Sequence, residues 1–262
     1  MITSLQKSRT HRVSRLVLDS VETHDSLDPL DLAGIGRTAD VLRMVCQEHG
    51  CMTDPVRDLS EVVHVRHDGP QLLDTLTGLS VGKPRLNDVP AALHDALRGD
   101  YSKLDTIIAA VRKDQAATSD VLSQGLHAAT ECEDTRGPWG DAATPVAGRA
   151  EATAKAVAAM PDQVFFPYDR DTAPHNGIAV TCEQWPATPV APSPAGPDLP
   201  PVPTLLLAGD HDLSTPLPWA QQEAARAPQG HLIIIHGSGH GTQHSCNGPT
   251  GRAAVAEFLT NP

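Results

Sequence analysis

Apolar residues follow two different periods along this chain. Residues 12–21 (RVSRLVLDSV), 204–208 (TLLLA) and 232–236 (LIIIH) are short, nearly continuous apolar runs. Such runs, rich in β-branched and leucine side chains, predict strands covered on both faces, as in a parallel sheet between helices. Between the first run and the second the period changes to three and four, the spacing of a helix face. A helix capped at Thr38 or Asp40 is predicted through His49, and apolar positions from Leu59 to Leu76 keep helical spacing. The segment from Val89 to Leu97 has proline in its first turn and Gly99 just beyond its end, as helices prefer. Tyr101, Leu104, Ile107, Ile108 and Val111 share one helical face, and the alanine-rich stretch 147–160 stops before Pro161.

Residues 186–203 hold eight of the 23 prolines, so they predict a stiff extended strap rather than helix or central strand. After the strap the order is strand, loop, helix (216–227), strand, loop and terminal helix (249–259). Strand and helix in alternation signal crossover units and an α/β sheet. The predicted fold is therefore α/β: about three parallel strands with flanking helices and a large helical insertion. Residues 1–29 hold the first core strand, 30–185 the helical layer, expected to act as a lid, 186–203 the strap, and 204–262 the C-terminal core.

Charge narrows the partners. The 262 residues carry a formal charge of −12. That balance argues against nucleic acid, whose phosphates need a basic surface, and against an anionic membrane face. It suits a cationic group such as a peptide amine. Residues 1–12 lack the apolar core of a signal peptide, and no run is long and apolar enough for a transmembrane helix, so a cytoplasmic chain is expected as the sequence stands. Of the five cysteines, Cys46 and Cys51 are near enough to bridge a short loop, while Cys132, Cys182 and Cys246 lie far apart. An odd count leaves at least one thiol without an internal partner. A disulfide-bearing secreted ancestry and a set of buried cytosolic thiols both fit this usage.

The chemistry sits where the last two strands end. The strand at 204–208 opens into GDHDLSTP (209–216), and the strand at 232–236 opens into GSGHG (237–241). An acid and a histidine on two such loops suit a hydrolytic triad. Asp212 would hold one nitrogen of His240, and the other would take a proton from a nucleophile. In the plainer alternative Asp210 and Asp212 are turn residues with a helix cap at Ser214 or Thr215, and His240 is a solvated loop residue. His236, His240 and His244 recur every four residues with Cys246 beyond, and Asp210, His211 and Asp212 add ligand types. Gly237, Gly239 and Gly241 oppose the helix that this spacing would need, so no metal and no cofactor are expected. GLSVG at 78–82 matches the Gly-x-Ser-x-Gly elbow, and the order Ser80, Asp212, His240 is the order such enzymes use. The elbow must follow a buried strand, however, and residues 72–77 read as the end of a helix. GIGRTA at 34–39 has the shape of a dinucleotide fingerprint without the preceding strand.

The run 12–21, the helical insert, CEQWP at 182–186, VPTLLLAGDHDLSTP at 202–216 and GSGH at 237–240 together resemble the α/β-hydrolase family of tripeptidyl aminopeptidases and proline iminopeptidase-like enzymes. The likeness runs from about residue 12 onward and is strongest in the C-terminal, TAP-like region. The resemblance implies that Asp212 is the triad acid and His240 the base, with a peptide or small ester as substrate. It implies that the family's serine elbow belongs at or before Met1, so that the chain is a truncated form, inactive alone, with secreted full-length relatives. It also implies that lid acids grip a peptide amine, a role that would fall to Glu131, Glu133 or Asp134. The strand at 13–20 would then lack a neighbour, and its open edge would favour self-association or pairing with a complementary N-terminal fragment. The alternatives are an active hydrolase using Ser80 and a non-catalytic binding module.

Overall fold

In the computed structural model of the chain, residues 13–24, 28–116, 118, 120, 122–134, 136–189 and 198–260 are described. The extreme N-terminus and the centre of the proline strap, residues 190–197, lie outside them. The chain divides into two units. One takes in the described residues of 1–26, 80–84 and 191–262, and the other those of 27–79 and 85–190. Residues 80–84 therefore group with the strands, although they fall within the segment that the sequence assigns to the helical layer.

The first unit is a mixed α/β assembly built on a three-stranded parallel sheet. Strands β1 (Leu16–Asp19), β2 (Thr204–Gly209) and β3 (Gly230–Ile235) lie in the order β1-β2-β3. Leu16 pairs with Thr204 and Asp19 with Leu207, while β2 runs in register from Thr204 opposite Gly230 to Gly209 opposite Ile235. All six residues of β2 are buried. Alternation explains this: Leu206 and Ala208 face one side of the sheet, and Leu205 and Leu207 the other. The first side packs on Leu217, Ala220 and Ala224 of a helix at Leu217–Ala225, and the second on Ala254, Val255 and Phe258 of the terminal helix at Thr250–Thr260. An unbroken apolar run at 205–208 is what a doubly covered strand favours. Among the described residues β1 pairs on one edge only.

The second unit is helical. α1 (Leu32–His49), α2 (Pro55–Arg66), α3 (Gly69–Ser80), α4 (Val89–Leu97) and α5 (Ser102–Gln115) are followed by α6 (Gln124–Asp134), α7 (Arg149–Ala159), α8 (Thr172–His175) and α9 (Gly177–Gln184). α3 runs out of this unit at its last residue, Ser80. With these, the helices at Leu217–Ala225 and Thr250–Thr260 become α10 and α11. α1 begins well before Thr38 and Asp40. Its cap is Asp31, in the left-handed region at φ 51°, whose side chain accepts from the Gly34 amide. GIGRTA lies inside this helix and Thr38 turns its hydroxyl back to Gly34 O, so neither stretch forms a loop. The apolar series 59–76 is two helices, because His67 turns left-handed at φ 55° and Pro70 follows in the first turn of α3.

Two disulfides close the helical unit. Cys46–Cys51 fastens the turn after α1, and Cys132–Cys182 joins α6 to α9. Cys246 is the free, exposed thiol. No helix of the described residues is long and apolar enough to cross a membrane.

Candidate active site

The loop after β2 is built by its own aspartates. Asp212 is fully buried, and its Oδ1 accepts from the amides of Ser214 (2.8 Å) and Thr215 (2.9 Å), which turns the chain into α10. Its Oδ2 faces elsewhere, accepting from the Thr215 hydroxyl at 2.8 Å and lying 3.2 Å from Nδ1 of His240. One carboxylate thus serves as the turn residue with Oδ1 and as the histidine partner with Oδ2. Thr215 adds a contact that spacing does not reveal, since its Oγ1 sits 3.0 Å from the same Nδ1. With a proton on Nδ1, the ring donates into this pair of oxygens, and the other ring nitrogen is left as the base.

His240 is a third exposed at its side chain. Burial pushes its pKa down, but the hydrogen bond and charge of Asp212, with the charges of Asp19 and Glu22, outweigh that and leave it raised. The imidazolium is therefore favoured, as a general base that must hold a proton transiently requires.

Three glycines let the histidine loop pass through tight places. A Cβ on Gly209 would stand 2.2 Å from Ser238 O, where the loop crosses the end of β2. A Cβ on Gly239 would stand 1.9 Å from Ser80 O. Gly237, just before, adopts φ 68°, which a side chain would strain.

Ser80 is close to both loops, but not as the elbow pattern demands. It is fully buried, ends α3 rather than following a strand, and its Oγ accepts the Leu213 amide at 3.0 Å. Its carbonyl accepts the His240 amide at 2.9 Å, and Gly82 N donates to His240 O at 3.0 Å, a short parallel bridge. The residues at 80–82 hold the acid loop by a side chain and the histidine loop by the backbone.

Asp210 makes a second acid–histidine arrangement beside the first. It lies 2.8 Å from Nδ1 of the exposed His236 and 3.0 Å from Nδ1 of the buried His211. Burial raises its pKa, but hydrogen bonds from His211, His236 and the Gly237 amide, with the His211 charge, reverse this and bring it to about 2. Of the residues weighed as metal ligands, none joins a group of three or more His, Cys, Asp or Glu able to hold an ion among the described residues. His244 instead pairs with Cys246, Nδ1 to Sγ at 2.8 Å.

Glu131, Glu133 and Asp134 lie at the end of α6, in the helical unit. Glu131 is half-buried and 3.6 Å from His127 one turn earlier, whereas Glu133 and Asp134 are exposed.

The profile of the family described as TAP-like protein matches residues 170–262. A search of curated proteins returns no match. The matched segment contains β2, β3, Asp212 and His240. Together with the parallel sheet between helices, the match supports the α/β-hydrolase superfamily and a hydrolase-type function.

Proposed function

We propose, from the TAP-like match over residues 170–262, that the chain carries the acid and base arms of a hydrolase acting on peptides or short esters. Asp212 is the acid and His240 the base in this proposal. The observation that carries it is a fully buried carboxylate 3.2 Å from Nδ1 of a part-exposed histidine. Asp212 fixes the ring with its proton on Nδ1 and stabilises the imidazolium. The free nitrogen withdraws the proton of an attacking hydroxyl and returns it to the leaving group. Thr215 shares Nδ1 with the acid and narrows the ring's freedom to turn.

Ser80 is not the nucleophile in this proposal. Its buried Oγ is engaged with the Leu213 amide, and freeing it would open the acid loop. With Ser80 set aside, Asp212 and His240 by themselves leave only weak residual effects, because a base without a nucleophile supplies no covalent catalysis. A preference for peptides with a free amine, and an amine-binding role for Glu131, Glu133 or Asp134, rest on the resemblance to tripeptidyl aminopeptidases.

A fluorophosphonate probe with intact-mass and peptide mapping tests the proposal. No labelling of the purified chain is expected, and none above background for His240→Gln. Stoichiometric labelling of Ser80 that disappears in His240→Gln would overturn it in favour of an active hydrolase.

A further inference from the structure

The end of β1 grips the histidine loop from the far side of the sheet. Asp19 and Ser20 receive three consecutive amides: Gly241 N donates to Ser20 Oγ at 2.8 Å, Thr242 N to Asp19 Oδ1 at 3.1 Å, and Gln243 N to Asp19 Oδ2 at 3.0 Å. The side chains repeat the pattern, with Thr242 Oγ1 to Oδ1 at 2.9 Å and Gln243 Nε2 to Oδ2 at 3.2 Å. Three successive amides converging on one acidic dipeptide form a small anion-binding nest, occupied here by the protein's own carboxylate. Ser20 stands at φ 55°, a left-handed conformation that strains a non-glycine residue and persists only when its surroundings fix it. In that conformation its Oγ both accepts from Gly241 and donates to Asp19 Oδ1 at 3.1 Å.

We infer that Asp19, with Ser20, is a positioning residue for His240: it fixes the three residues that follow the histidine and so holds the ring on Asp212. The inference rests on the acid and base assignment above. The loop needs such a hold because Gly237 and Gly241 take left-handed φ of 68° and 76° and Gly239 adds further freedom, so its own sequence supplies little stiffness. The bridge to Ser80 and Gly82 restrains the backbone of His240, and the Asp19 nest restrains the chain just after it. A base displaced by about 1 Å loses on the order of 100-fold in rate, so a restraint at each side of the ring is functionally meaningful. The charged groups that act on the His240 ring are Asp212, Asp19 and Glu22, so removing the Asp19 charge is also felt at the ring.

The experiment follows the ring and the loop separately in the intact chain, by the NMR titration of His240 and by amide hydrogen exchange at 241–243. Asp19→Asn should lower the His240 titration midpoint and speed exchange at Thr242 and Gln243 about tenfold or more, since its amide group sets a donor against donors. Ser20→Gly is the milder variant: it relaxes the strained φ and removes one acceptor, so exchange should rise at Gly241 with the fold intact. Unchanged exchange and an unchanged midpoint in Asp19→Asn, while Asp212→Asn still shifts the midpoint, would overturn the positioning role alone. A midpoint indifferent to Asp212→Asn, with exchange at 242–243 still responding to Asp19→Asn, would overturn the acid and base assignment instead.

Discussion

Arg149 offers the sharpest stability test of the helical unit. Its side chain is almost wholly buried, and its hydrogen bonds run to backbone carbonyls. The guanidinium instead donates to Cys182 O (2.7 Å), Trp185 O (3.0 Å), Ala142 O (3.2 Å) and Thr144 O (2.5 and 3.1 Å), and lies over the Trp139 ring at 5.7 Å. It therefore joins α7, the loop before it and the end of α9, beside the Cys132–Cys182 disulfide. Replacement by methionine keeps much of the volume and removes every donor. The bonds to Ala142 O and Cys182 O are buried, and although each carbonyl keeps a backbone partner, Thr188 N and Trp185 N, each loses a bond to a charged group worth about 1.5–3 kcal/mol. Arg149→Met should therefore destabilise the unit by about 3–5 kcal/mol, a large part of an ordinary domain's stability. Arg149→Lys should recover little, because three donors on one nitrogen cannot span carbonyls from separate segments. Urea unfolding followed by tryptophan fluorescence reads this directly, since Trp139 and Trp185 both touch the Arg149 site. A loss below about 1 kcal/mol in Arg149→Met, or a lysine variant equal to the parent, would refute the reasoning.

Four further outcomes are expected. Asp31 is part-buried beside Asp28 and Asp74; desolvation first and the Asp28 charge second raise its pKa well above 3.8, so its stabilising contribution is full below the unfolded value and lost as pH rises through the folded one. Asp31→Asn, which keeps an αL-tolerant cap, should flatten that fall in thermal scans between pH 4 and 8; an unchanged slope would contradict the burial argument. Ser80→Ala should lower stability by about 1–2 kcal/mol in urea by orphaning the Leu213 amide, and Gly239→Ala by about 2–4 kcal/mol through collision with Ser80 O, whereas equal stabilities would deny the bridge. Thiol titration should find one reactive group before reduction and none in Cys246→Ser; two or more would disprove the disulfide assignment. Leu16 and Ser20 donate their amides toward β2, so by alternation the Val17 amide faces the other edge of β1, unpaired among the described residues; the self-association proposed for that edge predicts less association of Val17→Pro in sedimentation velocity with the β1 to β2 bonds kept, and equal association would contradict it.

The three strands are legible because each is centred on an apolar run without polar alternation, and β2, the central one, is buried on both faces. Asp212 and His240 are legible for a related reason: each lies a few residues beyond such a run, where loops meet at one end of a parallel sheet. What escapes the sequence is mostly long-range. Asp19 meets Thr242 and Gln243 across 223 and 224 residues, and nothing local in LVLDS marks the carboxylate as a partner of that loop. The Cys132–Cys182 pairing spans 50 residues and follows from the packing of α6 on α9. Ser80 shows how a motif and its context can part: Gly-x-Ser-x-Gly satisfies the pattern, yet Ser80 ends helix α3 instead of following a strand. The cap of α1 was obscured by backbone geometry, since a left-handed aspartate does not announce itself beside the ordinary cap candidates Thr38 and Asp40.

The pairing of Asp212 with His240 is tested most directly by titrating the His240 ring by NMR in the parent chain and in Asp212→Asn, with the resonance assigned through His240→Gln. The parent ring should titrate above an ordinary histidine and carry its neutral-state proton on Nδ1, and Asp212→Asn should lower the midpoint. An ordinary midpoint in the parent, unchanged by Asp212→Asn, would contradict the acid and base assignment.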